Sequence, residues 1–169
     1  MGKVVSKDDL VRHREEWKSD GKQVVFTSGV FDLLHPGHAR LLEQAAGLGE
    51  ILIVAIQSDA SVRRSFVPCR GTAMISTARP ITPAAERAEI LAALAAVDYV
   101  VEFDAPGPAE LIERLAPDFL VKGGGPGSDE SANGDDDKSE AAGVKIVRIP
   151  LEPGYSTSRL VERITHLRA

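Results

Sequence analysis

The chain has 169 residues, 43% of them apolar, and a formal net charge of −5. That suffices for one α/β domain with a proper core and is too short for two, and the acidic balance excludes a general nucleic-acid binder, which carries a basic stripe. A lone cysteine, Cys69, excludes an internal disulfide framework, and the sequence has neither an apolar run of membrane-spanning length nor a signal-peptide core; a cytoplasmic protein without nucleic-acid or membrane partners is expected.

Ser6, followed by Asp9 and Leu10, predicts a capped first helix, amphipathic through Leu10, Val11, Arg14 and Trp17 and ended by Gly21. Residues 1–21 are therefore an N-terminal helical extension of a single domain over 1–169. The β-branched run from Val24 predicts a buried parallel strand that breaks at Ser28-Gly29. A helix follows with Pro36 in its first turn, where a missing N–H costs nothing, and Leu41, Leu42, Ala45 and Leu48 mark its buried face. Ile51 to Ile56 predicts a second strand, so the two strands and their helix form a right-handed βαβ unit. From Gln57 to Thr82 the chain is polar and irregular, which predicts a long functional loop. Pro83 opens the next helix, with Ile90, Leu91 and Leu94; Tyr99 to Val101 is a third strand. Pro108 starts a helix that buries Leu111, Ile112 and Leu115. Phe119 to Val121 and Val144 to Ile149 are the fourth and fifth strands, and a last helix begins near Ser156 with Leu160, Val161 and Ile164. Alternating strands and helices imply an α/β fold with a doubly wound, parallel, five-stranded sheet.

The stretch from Val24 to His38 carries the densest chemistry. A strand, a glycine turn and a helix N-terminus bring backbone N–H groups and the positive end of a helix dipole to one spot, which is an anion site. His35 and His38 lie three residues apart, so a helix puts them on one face, and Gly37 between them leaves room for a ligand. Zinc would need a third and fourth ligand, and no spacing supplies them. The plainer alternative makes one histidine a helix cap and the other a surface residue. Further candidates fall at the carboxyl ends of the other strands, where open α/β sheets bind ligands: Ser58-Asp59, Lys122-Gly123-Gly124 and Tyr155-Ser156-Thr157-Ser158. Ser156 to Ser158 either cap the last helix or bind phosphate. Asp32 is expected to cap a helix rather than place a metal, and Asp59 to order a loop. Arg87 is alternatively a solvated partner of Glu86 or Glu89.

Gly29-Val30-Phe31-Asp32 followed by His35-Pro36-Gly37-His38 resembles the HxGH signature of the nucleotidyltransferase superfamily, whose fold is Rossmann-like. Within it, the chain most resembles the D-glycero-β-D-manno-heptose 1-phosphate adenylyltransferases. Ser58-Asp59-Ala60-Ser61, Arg79-Pro80, Arg87, Val121-Lys122-Gly123-Gly124 and Gly154 to Ser158 extend the match from about Val4 to the C-terminus. The resemblance implies that His35 and His38 bind the triphosphate and stabilise the transition state. It implies that Thr27, Gly29, Val30 and Phe31 line the pocket, and that Arg87 and Ser156, Thr157 and Ser158 reach phosphate. Three departures stand out. The lysine that relatives carry after Ser-Asp-Ala-Ser is absent, so Arg64, or failing it Arg70, is expected to replace it. The following loop is longer than usual, and Gly125 and Pro126 stand where relatives have an acid and an aromatic.

The expected activity is adenylyl transfer from ATP, with Mg²⁺, to a sugar 1-phosphate, releasing pyrophosphate. The acceptor is already an anion, so no general base is needed, only positioning and charge stabilisation. The alternatives are a cytidylyltransferase for glycerol-3-phosphate or a similar alcohol phosphate, and a nucleotide-binding sensor that has lost turnover. Relatives are often dimers and are often fused to a sugar kinase, so a homodimer and a separate upstream kinase are expected. Asp129 to Glu140 has the spacing of a calcium-binding EF-hand loop, but the glycine-rich lead-in cannot form the entering helix. A mobile acidic lid without tight calcium binding is expected there.

Overall fold

The β-branched runs do form the centre of a parallel sheet. In a computed structural model that describes residues 1–65, 79–104, 107–124, 143–150 and 152–167, the elements follow in the order β1 (Lys3–Val4), α1 (Lys7–Ser19), β2 (Val24–Gly29), α2 (Pro36–Ala46), β3 (Ile51–Gln57) and α3 (Asp59–Ser65). Then come α4 (Ala84–Ala93), β4 (Tyr99–Phe103), α5 (Ala109–Leu115), β5 (Phe119–Gly123), β6 (Lys145–Ile149) and α6 (Thr157–His166). The strand order is β1-β4-β3-β2-β5-β6, with every pairing parallel.

Both faces of the sheet are covered, as strands this apolar require. Val25, Leu52, Val54 and Val100 pack against Leu41, Leu42 and Ala45 of α2 and Ala88 and Leu91 of α4. Val24, Phe26, Ile53, Ala55 and Leu120 face the other way, against Leu10 and Trp17 of α1 and Leu111, Ile112 and Leu115 of α5. The alternation along β2 and β3 is the period of two that a pleated strand dictates. From β2 the chain builds outward through β3 to β4, then crosses to the other side of β2 to lay down β5. The switch in strand order therefore falls between β2 and β5, whose register pairs Thr27 with Val121. The crevice beyond their carboxyl ends is where such a sheet binds ligands.

Three sequence expectations change. Among the described residues the sheet has six strands rather than five: Lys3 and Val4 add β1 beside β4, paired with Tyr99 and Val100. Two residues are too short for a periodic signal, and the contact depends on Gly2, whose added Cβ would lie 2.5 Å from the Val97 carbonyl oxygen. The 1–21 segment is thus a strand followed by a helix, not a helical extension alone. The stretch after Gln57 is not irregular throughout, because Ser58 accepts the Ser61 N–H and opens α3. On α4, Ile90 is exposed while Ala84, Ala88, Leu91 and Ala92 face the core. Ser6 caps α1 through the Asp9 N–H, as expected. The remainder of the long loop, with Cys69 and Arg70, and the acidic segment 129–140 lie outside the described residues.

Candidate active site

The turn after β2 delivers the two histidines. Pro36 is the first residue of α2, and His35 is its N-cap: the His35 Nδ1 accepts the backbone N–H of His38 at 3.3 Å. With Nδ1 accepting, the proton of the neutral ring sits on Nε2, so His35 offers one outward donor. Its ring stacks on that of His38, with centroids 3.7 Å apart and planes 17° from parallel. Burial lowers the pKa of His35. Burial, with the neighbouring His35 charge adding to it, pushes His38 down to about 4. Both imidazoles are neutral near pH 7. The plainer sequence alternative is half met: His35 is a cap, but His38 is no surface residue. It is half-buried, 5.3 Å from the Phe31 ring.

Gly37 serves this packing. A Cβ there would come within 3.0 Å of His35 Nδ1 and 3.3 Å of the Tyr155 Cβ. The glycine makes room for the His35 ring. Gly29 does the same for Phe31, whose Cε2 would lie 3.0 Å from an added Cβ. Phe31 itself has φ 48, a left-handed conformation that few non-glycine residues adopt.

A cleft of about 580 Å³, in the size range of small-ligand sites, opens beside His35, while His38 stands behind it, outside the lining. His35 and Pro36 form one wall, and Tyr155, Ser156, Arg159 and Arg163 the other. Ser156 caps α6 by accepting the Arg159 N–H, so a second helix N-terminus faces the same space. Neither Arg159 nor Arg163 has an ion-pair partner among the described residues. These two arginines were not picked out from the sequence, although their four-residue spacing behind a Ser-Thr-Ser cap puts them on one helix face. Tyr155 lies over the His35 ring at 6.3 Å and also meets the guanidinium of Arg40, which pairs with Glu152 at 2.8 Å. Thr157 and Ser158 continue into the first turn of α6, outside the cleft lining. Lys122 and Gly123 end β5, half-buried, across the switch point from Gly29.

Four residues have other partners than the sequence suggested. The Thr27 hydroxyl donates to the Val121 carbonyl at 3.0 Å and is buried between β2 and β5. Asp32 caps no helix: it is buried, bonded to Arg79 at 2.8 Å and to the N–H groups of Ile81 and Thr82. Arg87 is neither solvated nor turned to the cleft. Its buried guanidinium donates to the carbonyls of Val30, Gln57 and Thr82 and to the Asp59 carboxylate. Asp59 orders the local chain, as expected, by also accepting the Ala84 N–H. Arg64 lies on α3 and pairs with Asp104 at 3.0 Å, both side chains well exposed and outside the cleft lining.

The comparisons with known proteins point the same way. Residues 26–163 match the family described as cytidylyltransferase-like. The chain belongs to the cytidylyltransferase-like family. It is, on that membership, a nucleotidyltransferase. It is 44% identical over 163 residues to the bifunctional protein HldE of Koribacter versatilis, covering 96% of this chain and 31% of that protein. The HldE of Citrifermentans bemidjiense is likewise 44% identical, over 164 residues, 96% of this chain and 31% of its own length. The chain thus spans about a third of these relatives. A lipopolysaccharide core biosynthesis protein from Thermoplasma volcanium shares the fold at TM-score 0.56 and 22% identity, over 78% of this chain and 98% of that one. The pantoate-β-alanine ligase of Francisella tularensis does so at TM-score 0.61 and 13% identity, over 100% of this chain and 80% of that one. No helix among the described residues is long and apolar enough to cross a membrane.

Proposed function

We propose that this nucleotidyltransferase moves AMP from ATP to a sugar 1-phosphate, heptose 1-phosphate, and releases pyrophosphate. The observation that carries the reading is His35 at the N-terminus of α2, stacked on the half-buried, neutral His38 and lining a cleft whose other residues include a second helix N-terminus with two arginines. A phosphate oxygen of the acceptor attacks the α-phosphorus; the new P–O bond forms as the bond to the pyrophosphate oxygen breaks. The acceptor oxygen is already ionised, so no proton has to leave it. His35 Nε2–H and a ring N–H of His38 donate to the oxygens of the α-phosphate as their charge grows. Ser156, Arg159 and Arg163 hold the departing polyphosphate, and the ends of β2 and β5, with Lys122 and Gly123, seat the nucleoside side of the substrate.

Mg²⁺ suits triphosphate oxygens better than a protein cage. Among the described residues no group of three histidine, cysteine or acidic side chains could hold it. The ion in this reading travels with the nucleotide and supplies charge neutralisation there. The likeness to the HldE proteins supports the sugar-phosphate acceptor; the reading adds a surface-polysaccharide setting, a cytoplasmic location, a separate kinase that makes the acceptor and a homodimer as the working unit. The family's description favours a second reading, cytidylyl transfer to an alcohol phosphate. Pyrophosphate release from ATP and from CTP, each offered heptose 1-phosphate, hexose 1-phosphates and glycerol-3-phosphate, decides. Turnover with ATP and heptose 1-phosphate supports the proposal. Turnover with CTP and glycerol-3-phosphate replaces it, and tight nucleotide binding without turnover makes the chain a sensor.

A further inference from the structure

We infer that Arg87 is a positioning residue for His38, acting through the Val30–Phe31 peptide and the Phe31 ring. Arg87 Nη1 donates to the Val30 carbonyl at 2.6 Å, one residue beyond the last ladder position of β2. Its other bonds anchor it to fixed points: Nη2 to the Gln57 carbonyl at the end of β3 and to Asp59 at the start of α3, and Nε to the Thr82 carbonyl before α4. One guanidinium therefore ties the active-site turn to three neighbouring elements. Its side chain is 0% exposed.

The tied peptide leads directly into Phe31, whose left-handed backbone persists only where the surroundings over-determine it. That conformation turns the ring back over Gly29 and onto His38. His38 needs such a support. Its Nδ1 is buried without a hydrogen-bond partner among the described residues, so no bond at that nitrogen fixes the ring. Contact with Phe31 on one side and His35 on the other sets the direction of its donor. Asp32 holds the next residue of the same turn through Arg79 and the Ile81 and Thr82 N–H groups, so residues 79–87 clamp the turn twice.

The test is Arg87→Lys, which keeps the charge but cannot spread donors over four acceptors. The inference rests on the nucleotidyl-transfer reading only for its kinetic arm. Expected is a fall in kcat of about 10–100-fold, the cost of a misplaced group, with nucleotide Kd changed little. The NMR titration of His38 should move up from about 4 toward the ordinary 6.5 as the Phe31 cover loosens. If Arg87→Lys does not fold, Phe31→Leu takes its place and should show the same two changes. A folded variant that is merely less heat-stable, with kcat and the His38 titration as in the wild type, overturns the inference. Should no substrate pair support turnover in the wild type, the functional reading fails and the titration alone decides the relay.

Discussion

Asp32→Ala should destabilise the fold far more than loss of any surface charge, and the structure fixes the scale. The Asp32 and Arg79 side chains are 1% and 6% exposed and meet at 2.8 Å. The second carboxylate oxygen accepts the Ile81 and Thr82 N–H groups at 2.8 and 2.9 Å. Removing one partner of a buried pair leaves the other charge desolvated, which costs about 3–5 kcal/mol. A domain of this size has about 5–15 kcal/mol in all, and about 2–4 °C of Tm goes with each kcal/mol, so a drop of roughly 6–20 °C is expected. Arg64→Ala is the control. Arg64 and Asp104 also meet, at 3.0 Å, but each is 62% exposed, and solvent screens such pairs so well that they add little to stability. Urea and thermal unfolding of both variants make the comparison. A loss below about 1 kcal/mol for Asp32→Ala would mean that water reaches the pair and that burial has been misjudged as the dominant effect.

Removing a transition-state donor costs about 10²–10³ in kcat, so His38→Ala should lose that much turnover while nucleotide Kd, measured by calorimetry, stays close to wild type; equal losses in both would make His38 a ground-state binder. Arg159→Ala and Arg163→Ala should raise KM for the nucleoside triphosphate, read from initial rates of pyrophosphate release, and leave Tm within a degree or two; unchanged KM would remove α6 from the phosphate site. The low pKa of His38 links its protonation to folding. The folded ring resists a proton down to about 4 whereas the unfolded ring accepts one near 6.5. Between those values the unfolded chain binds more protons, so stability is complete above the window and falls as pH falls through it. Urea midpoints from pH 7 to pH 4 should therefore drop more steeply in the wild type than in His38→Gln, and parallel curves would contradict the burial assigned to the ring.

Much of this was legible in the chain. Val24 to Phe26 and Leu52 to Ile56 are strands because β-branched residues run without a polar break, and their burial on both faces follows from parallel pairing. Pro36 marks the first turn of α2, and Ser156 the start of α6. What escaped notice depends on contacts between distant parts of the sequence. Asp32 looks like a helix cap until Arg79, 47 residues on, is seen to occupy it. Arg87 sits among glutamates in a helix that looks solvated, and only the tertiary fold shows its guanidinium at Val30 and Gln57, 57 and 30 residues away. The rings of His35 and Phe31 crowd Gly37 and Gly29, and local pattern cannot place those rings.

Neutral histidines suit the proposed transfer better than charged ones would. A cation at the α-phosphate attracts the triphosphate in the ground state as well as in the transition state, and such uniform binding does not raise kcat. An N–H dipole at a helix N-terminus is weaker toward the resting oxygens and gains as charge accumulates on them in a partly dehydrated site. Burial of His38 against Phe31 and His35 keeps its ring neutral without any bond to Nδ1 among the described residues. The permanent charges stand elsewhere, on Arg159 and Arg163 at the far wall of the cleft, where negative charge leaves with the polyphosphate. The division of labour has a structural cost, since a ring held largely by packing is only as well placed as the turn that packs against it. That turn carries a left-handed phenylalanine and is clamped by two buried arginines, so the site's fidelity is set by residues that touch neither substrate.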